Sequence, residues 1–447
     1  MDLVQLDALC SDLTVAARAL KSLCENSGNN RNPGSNVSVK EPLFLSANPL
    51  EAEHELAMAR RNLCGITTRL QTLLSGPTCF IRRMAAQNQL LACLKWLGEF
   101  QITAYVPLSD SISLDELAEL ADVPEHTLSR VVRMTATAGF LQEPQLGYVA
   151  HTPLSLAFTN ELLYFDAAMF LANKVAPSAL DLTPFEQKPN QGGLNMVGMR
   201  SFDSFATHRA QEPQLNRQWL AYCHSVGSTH NDLGALINLL NWQSLGDASV
   251  VHICDRYTKA SQALANISNG LRVMVQAYDH TPTDSPLTGP EEVEQEPAII
   301  HNINVQRRKP TAAQPVGDAA VYILQPSFDA RTTDEYTPQE LLAHELQSHF
   351  RILRNNVSAL LILAPKMLPE PGSVALNLEV QARLLDFAEM QFTRKSAVEV
   401  TELFKLTESI CDAHGRLMVT KRLRSADGAT IALAVKYQAF SERSELV

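Results

Sequence analysis

The chain has 447 residues, of which 45% are hydrophobic and 19% charged, with a formal net charge of −11. That balance excludes wholesale disorder and predicts one or two large cores in a folded protein. It also disfavours non-specific binding to nucleic acid or to acidic membranes, whose phosphates would repel the chain on average.

The eight cysteines, at 10, 24, 64, 79, 93, 223, 254 and 411, form no CxxC pair and have no histidine at zinc-finger spacing. They read as thiols of a reducing compartment and not as a metal site. The first residues, MDLVQLDALCSDL, carry acids where a signal peptide is basic, and no apolar run approaches a membrane span. The expectation is an intracellular, soluble protein without membrane contact.

Leu3, Leu6, Leu9, Leu13, Ala16, Leu20 and Leu23 recur at helical spacing and predict a helix over 1–25. Residues 26–48 open with NSGNNRNPGSNVSVKE, a polar stretch rich in Asn, Ser, Gly and Pro that reads as a flexible linker. Helices follow over about 49–74 and 80–100. Ser113-Leu-Asp-Glu116 is a capping box opening a short helix that ends near Ala121. Pro124 suits the first turn of a second helix, which stops at Gly139. FLQEPQLGYVAHT then reads as two short strands around a turn. Helix, turn, helix and hairpin predict a winged helix within a domain spanning 49–160. Its second helix offers Glu125, His126, Arg130 and Arg133 as its main polar groups, fewer cations and amides than a groove-reading helix carries. The module is expected to pack or to dimerise, with no direct DNA binding.

Residues 161–245 read as a helical connector, with Trp219, Tyr222 and Trp242 as core anchors. From 246 to 447 the pattern changes to short apolar runs: SVVHI (249–253), LRVMVQAY (271–278), AAVYIL (319–324), SALLILA (358–364) and ATIALAVKYQAF (429–440). Helical segments at 258–269, 337–355 and 379–390 separate most of them. Such alternation predicts an α/β fold with a doubly wound, mostly parallel sheet covered on both faces. The last run follows RLMVTKRL across Asp427-Gly428, a hairpin signal that predicts an antiparallel pair at the end of the sheet.

In such sheets the ligand lies beyond the carboxyl ends of the strands, and the loop after the first strand is normally rich in glycine. Here that loop is His252-Ile-Cys254-Asp255-Arg256-Tyr257-Thr258-Lys259, with no glycine. Together with ALLILAPKMLPEPG (359–372), LRVMVQAYD (271–279) and VGDAAVYIL (316–324), the arrangement resembles small-molecule O-methyltransferases that use S-adenosylmethionine. The resemblance implies a winged-helix dimerisation domain followed by a Rossmann-like class I methyltransferase domain. It places the family's ribose-binding acid on Asp279, and its glycine loop on Cys254, Asp255, Arg256 and Thr258. The family's His-Asp-Trp triplet, whose histidine is the catalytic base, falls on Asp329, Ala330 and Arg331. His344 and His349 lie inside a predicted helix and are expected to face solvent or a partner.

Side chains in place of glycine occupy volume the cofactor needs, and a missing positioned base lowers a rate by roughly a hundred- to ten-thousand-fold. The expectation is therefore a degenerate methyltransferase with no catalytic residues and no cofactor. An active O-methyltransferase acting on an aromatic polyketide, with Asp329 as base at a raised pKa, is the alternative. A pseudoenzyme subunit stabilising an active methyltransferase is a third reading.

The N-terminal helix–linker–helix (1–75), HICDR in place of the glycine loop and the missing triplet resemble the aflatoxin-cluster-type transcriptional co-activators of fungal polyketide clusters. That resemblance implies a zinc-cluster transcription factor of the same gene cluster as partner, action in the nucleus and no chemistry. The methyltransferase resemblance adds a homodimer. Glu291-Glu-Val-Glu-Gln-Glu296 is either a solvated loop or a surface for a basic partner. Arg307-Arg308-Lys309-Pro310 is either a nuclear import signal or a loop with exposed cations. The helix over 1–25 either binds a partner or caps the dimer.

Overall fold

The structure, a computed structural model, describes residues 2–29, 49–181, 205–227, 233–237, 239–254, 263–264, 270–278, 303–310, 312–326, 337–393, 397–425, 428 and 430–440. The chain divides into two compact units, Met1–Leu156 with Ala375–Asn377, and Ala157–Val374 with Leu378–Val447. The segment expected as a separate connector, 161–245, thus groups with the sheet.

In the first unit, helix α1 (Leu3–Asn29) runs four residues beyond its expected end, and α2 (Pro49–Leu74) pairs with it. Leu9, Ala16 and Ile66 are buried in their seam, with Leu13, Leu63, Leu70 and Leu73 packed around them. The stripe is narrow, and most of the remaining α1 surface is exposed. Helix α3 (Pro77–Glu99) begins at Gly76, with Pro77 in its first turn, where a missing N–H leaves no bond unmade.

Strand β1 (Ser111–Ser113) leads into α4 (Leu114–Leu120), where the Ser113 hydroxyl accepts the Glu116 amide at 3.4 Å. Helix α5 (Glu125–Ala136) buries Leu128, Val131, Val132 and Thr135 on one side. Gly139, at φ +71°, takes the left-handed turn into strand β2 (Leu141–Gln145), which pairs with β3 (Tyr148–His151). The three strands form a sheet in the order β1-β3-β2.

The second unit opens with helices α6 (Leu162–Phe170) and α7 (Pro213–Val226). Their core is aromatic: Phe170, Phe205, Trp219, Tyr222 and Phe392 are buried together, and the Phe205 and Trp219 rings meet edge to face at 5.2 Å. Arg217 joins the two helices through two bonds to Asp166, at 2.6 and 3.1 Å. Trp242 anchors a different core, under the sheet.

Seven strands make the sheet: β4 (Ser249–Cys254), β5 (Arg272–Tyr278), β6 (Ile303–Arg308), β7 (Val321–Gln325), β8 (Leu360–Leu363), β11 (Gly415–Arg424) and β12 (Ile431–Ala439). Strands β9 (Met367–Leu368) and β10 (Val398–Glu399) pair separately. The order is β6-β5-β4-β7-β8-β12-β11. Strand β4 pairs in parallel with both β5 and β7, so the direction of winding reverses between β4 and β7. Strand β12 enters antiparallel between β8 and β11, as the hairpin signal predicts. Glu370, in the turn after β9, holds Arg422 at 2.8 Å and Arg424 at 3.0 Å.

Both faces are covered because strand residues alternate. Val251, Ile253, Tyr322 and Leu324 enter the core under helices α8 (Pro338–Asn355) and α10 (Val400–Ser409), while Val250, Cys254 and Ile323 enter the core on the other side. Thr337 caps α8 with a reciprocal pair of bonds to Glu340. Helix α9 (Leu376–Thr393) is longer at both ends than the expected 379–390. Strand β6 had no expected counterpart. It is an edge strand with exposed Val305, and its side chains are mostly polar, so the apolar signal is absent.

Candidate functional site at the carboxyl ends of the sheet

Strands β4, β5, β6 and β7 are parallel, so Cys254, Tyr278, Arg308 and Gln325 stand together at their carboxyl tips. Asp255, Arg256, Thr258, Asp279 and Asp329 lie outside the described residues, as does the acidic run 291–296. The site is therefore built from the strand tips and what packs beneath them.

On one face of the sheet, His252 is fully buried, and its Nε2 donates to Gln325 Oε1 across the β4–β7 junction at 3.0 Å. Burial pushes its pKa down to about 4, with the Gln325 bond opposing, so the ring is neutral near neutral pH. Cys254 is 1% exposed and packs in the core with Leu264, Val275 and Ile323. The expectation that the Cys254 side chain occupies volume the cofactor needs is corrected: the last residue of β4 points into the same face as Val250, and its thiol fills core volume.

On the other face Glu345 of α8 is fully buried and accepts from two strand tips at once. Tyr278 Oη donates to its Oε1 at 2.9 Å, and Arg308 Nη2 reaches its Oε2 at 2.9 Å. The register sets these two donors side by side, Tyr278 opposite Arg308. Arg308 also donates to the Ala312 carbonyl. One turn along α8, His349 Nδ1 donates to the Glu345 carbonyl at 2.7 Å, and its Nε2 accepts from Gln314 at 3.3 Å. Gln314 and Gln276 exchange two bonds of 2.8 Å. Burial lowers the His349 pKa against the pull of Glu345, and the two bonds fit a neutral ring.

Two expectations are corrected here. His349 does not face solvent or a partner: it is fully buried, whereas His344 is exposed. The Arg307-Arg308-Lys309 group is not a loop of exposed cations. Arg308 ends β6 and is 7% exposed, which leaves Arg307 and Lys309 at the surface. The Glu345 network was not foreseen. Its sequence signal is that Glu345 and His349 fall on the apolar stripe of α8, with Leu341, Leu342, Leu346, Phe350 and Leu353.

Chemically, the arrangement is closed. The carboxylate at the strand tips is held by a guanidinium and a phenol, and both nearby imidazoles are neutral and sealed from solvent. Among the described residues no cluster of three or more His, Cys, Asp or Glu could hold a metal ion. No helix among them is long and apolar enough to cross a membrane.

A family model for the N-terminal domain of the trypacidin cluster transcriptional coactivator tpcD matches residues 3–75, the α1–α2 pair. The monodictyphenone cluster transcriptional coactivator mdpA of Emericella nidulans is 35% identical over 484 residues, covering 98% of this chain and 99% of that protein. This chain belongs to the fungal cluster transcriptional coactivators. Other members at similar distance are the agnestins biosynthesis cluster coactivator AgnL9 of Paecilomyces divaricatus, 35% identical over 99% of this chain and 100% of its own length, and the dothistromin biosynthesis regulatory protein aflJ of Dothistroma septosporum, 32% identical over 97% and 98%.

The coactivator chain has the fold of a methyltransferase. LepI in complex with SAM matches 85% of this chain and 94% of its own at a TM-score of 0.55 and 16% identity. The mitomycin 7-O-methyltransferase MmcR matches 80% and 97% at a TM-score of 0.52 and 14% identity. At that identity the likeness concerns the fold alone.

Proposed function

We propose that the protein is a non-catalytic transcriptional co-activator of a fungal secondary-metabolite cluster of the polyketide, aflatoxin-like kind. It acts in the nucleus through the zinc-cluster transcription factor of that cluster. The relatives' names support the class of function, and one observation carries the non-catalytic part. Three polar groups at the described strand tips are engaged inward, Tyr278 and Arg308 on Glu345 and His252 on Gln325.

The described tips speak against S-adenosylmethionine. A cofactor lying there needs outward polar groups for its ribose and bare backbone against its sulfonium arm. The described ends of β4 and β5 instead read His-Ile-Cys and Gln-Ala-Tyr, with no glycine, and the Tyr278 hydroxyl is already spent on Glu345. We read the substituted positions Cys254, Asp255, Arg256, Thr258, Asp279 and Asp329 as released from cofactor chemistry, and derive no methyl transfer through them.

We read α4, α5 and the β2–β3 hairpin as a winged helix that packs against protein. Arg133, a main cation of α5, is held by Glu143 of the hairpin at 3.0 and 3.1 Å, which pulls the Glu143 pKa down to about 2. A cation neutralised by its own wing is a poor phosphate ligand, and this favours a role without direct DNA contact. Arg307 and Lys309 remain exposed to serve an import receptor, with Arg308 fixed inside.

The test is genetic and biochemical together. Deleting the gene is expected to silence the cluster's transcripts while the zinc-cluster factor is still made, and the purified chain is expected to bind that factor. Cluster transcription that persists in the deletion strain would overturn the reading. Sedimentation at several concentrations checks the accompanying homodimer.

A further inference from the structure

Helix α3 begins with thirteen residues, Pro77–Gln89, that are exposed at every position except the half-buried Arg83. A helix of this length packed against nothing is marginal in water. It nevertheless carries Phe80 at 49%, Ile81 at 63% and Met84 at 53% exposure, spaced i, i+1 and i+4, and Leu74 at the end of α2 is 56% exposed. Phe80, Ile81 and Met84, at helical spacing, form one apolar strip, which is the pattern of a docking face.

Along the chain, the charge that accompanies the strip is one-sided. Residues 56–94 contain Arg60, Arg61, Arg69, Arg82 and Arg83 and no Asp or Glu, in a chain whose net charge is −11. Arg82 is exposed next to Ile81, and Arg83 lies over the Phe80 ring at 5.8 Å. Among the described residues neither Arg82 nor Arg83 is ion-paired. Apolar groups flanked by unneutralised arginines complement a segment with the opposite make-up, in which acids alternate with Leu and Phe. Transcriptional regulators carry segments of that composition as disordered activation regions that fold on binding.

We infer that the exposed front of α3, with Leu74, Phe80, Ile81 and Met84 flanked by Arg82 and Arg83, docks an acidic amphipathic segment of the regulator. The inference rests on the co-activator reading and names the surface through which it works. A second copy of this chain is the rival occupant. Two such faces would bring Arg82 and Arg83 of each copy towards one another, whereas an acidic partner is attracted and steered in.

The probe is a fluorescent synthetic peptide alternating Asp or Glu with Leu or Phe, titrated into the full chain, beside a control in which the acids are Lys. Saturable binding of the acidic peptide alone is expected, weakened at least about ten-fold in Arg82→Glu/Arg83→Glu and by rising salt. Arg82→Lys/Arg83→Lys should retain most of the affinity. All these positions are at or near the surface, so an unchanged melting profile confirms that the variants fold. Equal affinity in the charge-reversed variant, or no binding by the parent chain, overturns the inference. So does a dimer that dissociates in Ile81→Ser/Met84→Ser, because it assigns the face to a second copy. If the zinc-cluster factor still co-purifies with the charge-reversed variant, this surface is wrong and the co-activator reading stands. If the factor binds no form of the chain, the co-activator reading itself fails.

Discussion

Arg308 Nη2 meets Glu345 Oε2 at 2.9 Å with both side chains buried, 5% and 0% exposed. The pair ties the edge strand β6 to α8, and Tyr278 occupies the second carboxylate oxygen. Removing one partner strands the other charge without water. Glu345→Met or Arg308→Met is each expected to destabilise the fold by roughly 3–5 kcal/mol. The double replacement Arg308→Met/Glu345→Met is expected to cost clearly less than the sum of the single ones. Urea unfolding of the four proteins measures the coupling, and additive losses well under 1 kcal/mol would show that the pair behaves like an exposed one.

His252 gives the fold a defined acid sensitivity. Its folded pKa is lowered from 6.5 to about 4, so as pH falls the unfolded chain takes up a proton first. Its contribution is complete above about 6.5 and is lost as pH falls towards 4, a loss on the order of 3 kcal/mol at about 1.4 kcal/mol per pKa unit. His349 is shifted in the same direction and adds to the slope. His252→Gln is expected to flatten the stability profile over that window. Denaturant midpoints at several pH values test this, and an unaltered slope counts against a buried neutral His252.

Cys254 separates a core role from a lost cofactor loop. Restoring glycine by Cys254→Gly removes a thiol packed against Leu264, Val275 and Ile323 and is expected to lower stability by about 1–3 kcal/mol. No affinity for S-adenosylmethionine is expected to return. Calorimetric melting with and without the cofactor reads both effects. A variant as stable as the parent would mean that the thiol fills no core space.

Much of the fold is legible because its signals are local. The apolar runs at β4, β5, β7, β8 and β12 need only periodicity, and Ser113 announces its helix by capping chemistry. Strand β6 escapes because an exposed edge tolerates Asn, Gln and Arg, and an arginine run in such a strand looks like a loop. At the site, the missing glycines are visible in the sequence but the inward bonds are not. Glu345 and His349 follow the spacing of the buried stripe of α8, but polar side chains read as surface groups, and His349 is accordingly expected to face solvent or a partner. Their partners Arg308 and Gln314 come from 37 and 35 residues away, a pairing that only the folded register fixes.

The most direct measurement is a calorimetric titration of the purified full chain with S-adenosylmethionine, followed through to millimolar cofactor. The account predicts no heat of binding and no shift in melting temperature. Saturable binding in the micromolar range, with a methyl group then passed to an aromatic polyketide, would make the protein a working transferase and contradict it.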